Sequence, residues 1–175
     1  MDLSRTFDQL KTLFADNVTG NITEQIMRDF VESVFQFGGL SLSAEQTPSG
    51  QQIGTTFTCV NQFINEDLPS IDVVPNTSNG GIKILRGGTY LVNISLSFSG
   101  SNNSVWTGSL FRNDEDMQIV GFKELLRPSG DVSNVGAFGS VLVQGDDILD
   151  YRVKANGANK QFVLEAGQLY VFRIG

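Results

Sequence analysis

Histidine is missing from all 175 residues. Its absence removes the usual general base near neutral pH and the commonest imidazole ligand of zinc and iron. Cysteine occurs once, at Cys59, so neither an intrachain disulfide nor a cysteine zinc knuckle can form. The surrounding TFTCVNQF reads as strand, which makes Cys59 a small buried hydrophobe rather than a reactive thiol. Basic residues are also scarce. Twelve Lys and Arg stand against 19 Asp and Glu, a formal net charge of -7, which disfavours nucleic acid and anionic membrane as partners. Uninterrupted apolar runs of membrane-spanning length are absent. So are the Gly-x-Ser-x-Gly elbow, the Walker loop and the GxGxxG fingerprint. With abundant serine but no histidine to activate it, the sequence predicts a non-enzymatic protein without a cofactor.

What the chain does have is 40% hydrophobic residues, 13 Phe and 19 Gly, enough for one substantial core with an appendage. The N-terminal MDLSRTFDQL shows no basic n-region followed by an apolar h-region, and the expectation is a chain made in the cytoplasm without a signal peptide. Asn-x-Ser/Thr triplets at Asn17, Asn21, Asn76, Asn93 and Asn102 are then expected to carry no glycan. In NITEQIMRDFVESVF, Ile26, Met27, Phe30, Val31, Val34 and Phe35 recur at helical spacing opposite Arg28, Asp29 and Glu32. Asn21 or Thr23 can cap this helix, Glu24 can complete a capping box with Asn21, and Gly38-Gly39 can end it. Upstream, Leu3, Phe7, Leu10 and Phe14 predict a second short stripe. Helices this short need a partner for their apolar faces.

From Gly39 to Gly54, GLSLSAEQTPSGQQIG reads as a linker or extended arm. The period then changes to two. In GTYLVNISLSFSG, Tyr90, Val92, Ile94, Leu96 and Phe98 share one face, with Asn93, Ser95 and Ser97 on the other. ILDYRVKAN alternates likewise, and TTFTCVNQF, PSIDVV, GIKILR, SVWTGSLFR, MQIVGFKELL, VGAFGSVLVQ and QLYVFRIG add further strands between Gly-, Asn- and Asp-rich turns. Eight or nine short strands without intervening helices predict an antiparallel sandwich or barrel.

Two of these strands are apolar on both faces. QLYVFRIG sets Tyr170, Phe172 and Ile174 against Leu169 and Val171; VGAFGSVLV sets Val135, Ala137, Val141 and Val143 against Phe138 and Leu142. A two-layer sandwich covers one face of each sheet, so the second needs a cover from outside. Another copy of the chain is the simplest one, and the N-terminal helices folded back over that face are the alternative. Val135, Phe138, Val141, Val143, Leu169, Tyr170 and Phe172 are the candidate interface residues.

Taken together, LRGGTYLVNISLSFSGSNNSVWTGSLFRNDED, GAFGSVLVQGDDILDYRVKANG and QLYVFRIG resemble the C1q/TNF trimeric jelly roll over residues 54–175. The resemblance implies three sandwiches packed about a threefold axis through aromatic and small apolar residues, some from the terminal strand. The expectation is a departure from animal members, without their collagen-like stalk and signal peptide. Ahead of it, LFADNVTGNITEQIMRDFVESVF resembles a segment of tailed-phage virion proteins, through Asp16, Asn17, Gly20, Ile22, Arg28, Asp29, Phe30 and Val31.

The expected organisation is a mainly β protein: an N-terminal helical anchor (1–38), a linker (39–54) and an antiparallel jelly-roll sandwich (55–175). The resemblances imply a homotrimeric capsid decoration or head-fibre protein on a virion. Ile26, Met27, Phe30, Val31 and Val34 would bind other virion proteins. Alternatives are a tail fibre touching a host surface glycan through SGSNNSVW and Trp106, or a free C1q/TNF-like ligand module. Asp114-Glu115-Asp116 and Asp146-Asp147 fall in expected turns, where solvated hairpin tips account for them better than calcium does.

Overall fold

The computed structural model describes residues 26, 30, 36–46, 49–67, 72–127 and 131–174. Thirteen strands occur among them: β1 (Phe37–Leu42), β2 (Gln51–Ile53), β3 (Thr58–Cys59), β4 (Asn65–Asp67), β5 (Val73–Asn76), β6 (Gly81–Ile84), β7 (Gly88–Gly100), β8 (Ser104–Arg112), β9 (Glu115–Asp116), β10 (Phe122–Leu126), β11 (Ser133–Val143), β12 (Ile148–Ala155) and β13 (Lys160–Arg173). They form two antiparallel sheets. The first runs β11-β7-β13-β1-β4 with β2 beside β13; the second runs β10-β8-β12-β6-β5, with β3 beside β12 and β9 beside β8.

Strand β7 shows why these residues make this sandwich. Its alternation is realised residue by residue: Tyr90, Val92, Ile94, Leu96 and Phe98 are buried between the sheets, while Leu91, Asn93 and Ser95 face out. Opposite them, Trp106, Leu110, Leu149, Tyr151 and Val153 of the second sheet are buried too. Aromatic rings concentrate at one end of this core. Phe98 stacks on Phe162 at 5.0 Å and Trp106 lies 5.3 Å from Phe162. At the β8–β9 hairpin, Arg112 pairs with Glu115 across Asn113 and Asp114, whose φ values of 49° and 69° suit a primed two-residue turn.

Three expectations require correction. Residues 39–42 are not a spacer: β1 lies between β13 and β4, and Leu40 and Leu42 are in the core. Gly38 and Gly39 therefore belong to a strand and do not end a helix. A Cβ on Gly39 would overlap the ring of its cross-strand partner Tyr170, so this close approach requires glycine. MQIVGFKELL is strand only from Phe122, because Gln118 and Val120 hold positive φ and the backbone there turns.

Of the two expected N-terminal helices, Ile26 and Phe30 are described; each has helical backbone and is half-buried. Met27, Val31 and Val34 lie outside the described residues. Among the described residues no helix is long and apolar enough to cross a membrane.

Candidate functional site

The outer face of the first sheet is built by the terminal strand β13. Between Leu164 and Ala166 the register with β7 shifts, leaving Glu165 as an extra residue. A single inserted residue exchanges the two faces of a strand. Before the bulge Phe162 and Leu164 point inward, and beyond it Leu169 and Val171 do. Tyr170, Phe172 and Ile174 are thereby turned to the outside. Buried Gln62 supports the shift: the Leu164 N–H donates to its Oε1 at 2.8 Å.

The pairing of β11, β7, β13 and β1 arranges this face in rows. Ser140, Leu91, Phe172 and Phe37 form one; Phe138, Asn93, Tyr170 and Gly39 form the next; Gly136, Ser95, Gln168 and Ser41 follow. Leu142 and Ile174 lie beyond the first row, since Leu142 pairs with Thr89 and the Ile174 N–H donates to the Thr89 carbonyl at 2.8 Å. Composition thus changes along the strands. Leu91, Phe138, Leu142, Phe172 and Ile174 are all exposed, Phe138 to 78% and Leu142 to 62%. Phe37 and Phe172 stack at 6.4 Å. The other half is serine, glutamine and glycine around an open depression of about 430 Å³.

Exposed apolar groups gathered on one half of a sheet, bordered by polar residues, have the composition of a protein interface. Phe138 and Phe172 stand in this patch, and Tyr170 is half-buried over Gly39. Val141, Val143 and Leu169 do not belong to it. They are packed in the sandwich core, and Val135 leans against that core from the same side. Their parity turns them inward, so they serve the fold. Leu91, Leu142 and Ile174 take their place. The signal for Leu91 was present, since it shares the face of Asn93 and Ser95.

Family models and curated proteins yield no match to the chain. Solved structures do. Eiger TNF from S. frugiperda shares 10% identity over 81% of this chain and 93% of that one, with a TM-score of 0.59. The globular domain of zebrafish complement 1qA protein shares 11% identity over 81% and 98%, with a TM-score of 0.56. The fold is a C1q/TNF-like jelly roll.

In this jelly roll the remaining candidates have structural employment. Trp106, expected at a glycan-binding loop, is fully buried against Phe98 and Phe162. The loop before it therefore offers no exposed indole. Asp146 pairs with Lys83, Asp147 accepts from Asn113 and from the Gln144 N–H, and Asp116 accepts from Ser109 and the Gln118 N–H. Asp114 and Asp150 both hold Arg152, whose guanidinium lies 4.5 Å from the centre of the Phe111 ring. Among the described residues no three His, Cys, Asp or Glu side chains converge as a metal site would require. Burial, reinforced by nearby Asp150, pushes the Cys59 thiol up to about 12, and its Sγ donates to the Asn79 carbonyl. A thiol in that state is a poor nucleophile.

Proposed function

We propose that the chain is a non-enzymatic, homotrimeric structural module of a virion surface, a capsid decoration or head-fibre protein attached through its N-terminal segment. The supporting observation is the apolar half-face of Leu91, Phe138, Leu142, Phe172 and Ile174. Covering it removes aromatic and branched side chains from water, each worth about 1.5 to 3 kcal/mol when fully buried. The jelly-roll likeness supports a threefold arrangement. The virion assignment rests on the phage-like segment around Asp16, Asn17, Gly20 and Arg28 to Val31. Attachment by a short element gains from trimerisation, because three linked anchors raise the effective concentration of each.

Native mass spectrometry of the full chain is expected to show three copies, and Phe138→Asp to yield folded monomer. Aspartate there would place uncompensated carboxylates in an apolar contact. A monodisperse monomer at micromolar concentration would overturn the reading. Copy-number counting by mass spectrometry on purified particles tests the virion assignment separately.

A further inference from the structure

The opposite face of the molecule, the outer side of the second sheet, carries a positive spot. Cross-strand register sets Lys123 of β10, Thr107 of β8 and Lys154 of β12 side by side in one row. Neighbouring strands lie about 4.8 Å apart, so the two lysine backbones flank Thr107 at roughly 10 Å from each other. Trp106, the residue preceding Thr107, and Val153, the residue preceding Lys154, are buried in the core, which turns Thr107 and Lys154 outward. The Lys154 ammonium sits 4.2 Å from the centre of the Phe57 ring, and Phe57 is itself set edge-on to Phe111 at 5.2 Å. Ion pairs join Lys83, Arg86, Arg112 and Arg152 to carboxylates. None among the described residues joins Lys123 or Lys154.

Depressions of about 390 and 440 Å³ lie along this row and share Lys123, Thr107 and Lys154. Thr55 and Asn156 line the first, and Ser109 and Gln118 the second. Asp116 also borders the second, where it is held by the Ser109 hydroxyl and the Gln118 N–H. We propose that this row binds an oxyanion, phosphate or carboxylate, carried by an acidic glycan. Flexible four-carbon stems let both ammoniums reach one oxyanion between them, and the Thr107 hydroxyl can donate as well. Hydroxyl and amide groups along both depressions suit a ligand rich in hydroxyls. The net charge of -7 opposes a densely charged polyanion such as nucleic acid. A glycan with well-spaced charges meets a single positive spot without that penalty. Because the row lies on the sheet opposite the apolar half-face, self-association leaves it open, and the proposal stands independently of the trimer.

The test is equilibrium binding of the full chain to two probes, a neutral glycan polymer carrying widely spaced phosphate groups and one carrying widely spaced uronic acids, with an oligonucleotide as comparison. Binding to either polymer, weakening as salt rises, is expected; the polymer that binds identifies phosphate or carboxylate as the group recognised. Lys123→Gln combined with Lys154→Gln should weaken it about twenty-five-fold, from roughly fivefold per lysine, while Lys160→Gln leaves it unchanged. Oligomeric state measured on the same samples should not move, which separates this outcome from that of the trimer reading. Binding to neither polymer, undiminished binding by the double variant, or equal affinity for the oligonucleotide would overturn the proposal.

Discussion

Two tyrosines show how single residues tie the sandwich together. The Tyr90 hydroxyl donates to the Arg86 carbonyl and the Tyr151 hydroxyl to the Val120 carbonyl, both at 2.9 Å. The second bond holds a β-branched residue at φ 53°, a conformation that costs energy and needs such support. Burial pushes the Tyr90 phenol up to about 12 and raises Tyr151 as well; Cys59 behaves alike. Below their unfolded values of 9.0 for the thiol and 10.0 for the phenols, folded and unfolded chains hold the same protons. Above them the unfolded chain loses protons that the native state keeps, so stability falls as pH rises. Urea midpoints are expected to be level up to about pH 8.5 and to drop between about 9 and 12, with a shallower drop in Tyr151→Phe. Level midpoints through that window would contradict the burial of these groups.

At the scale of elements, the bulge in β13 separates fold from assembly. Leu169 points in and Phe172 points out, three positions apart on one strand. Leu169→Ala should cost about 2 to 5 kcal/mol of stability. Phe172→Asp should leave the urea midpoint of the monomer nearly unchanged and shift the oligomer toward monomer in sedimentation. Gln62 is the support of this parity. Gln62→Met orphans the Leu164 N–H and is expected to lower stability by about 1 to 3 kcal/mol, read as a reduced urea midpoint. An unaltered midpoint would mean that the bulge is held by the strand pairings alone.

For the whole molecule, the two broad faces divide the work proposed here. The first sheet offers its apolar half to other copies, and the second keeps the Lys123–Thr107–Lys154 row open to solvent. Phe30 and Val34 belong to the proposed anchor, whose sequence lies ahead of the first strand. Replacing both by Ser should preserve the proposed trimer, since among the described residues the buried apolar core of the chain begins at Leu40. Incorporation into particles should fall, since each buried apolar group lost costs about 1.5 to 3 kcal/mol and the loss is repeated in every copy. Quantitative mass spectrometry of virions from a complemented deletion phage would measure it. Undiminished incorporation with an intact trimer would move attachment away from these residues.

Period-two alternation in GTYLVNISLSFSG and ILDYRVKAN determined the strands and the sandwich, because alternation is a local property of an extended chain beside a core. The doubly apolar closing strand likewise announced an unusual outer face. Which side of that strand is the outer one was decided by the Glu165 bulge and by Gln62, a residue about a hundred positions away in sequence. The place of β1 depended on Tyr170 lying over Gly39, which no local pattern in GLSLSAEQ displays. Trp106 stands where the strand SVWTGSLFR meets the loop before it, and only pairing with β10 and β12 sets it inside; Lys123 and Lys154 are neighbours only through β8. Alternation is encoded within a strand, whereas register joins residues far apart in the chain, and register is what assembles a face.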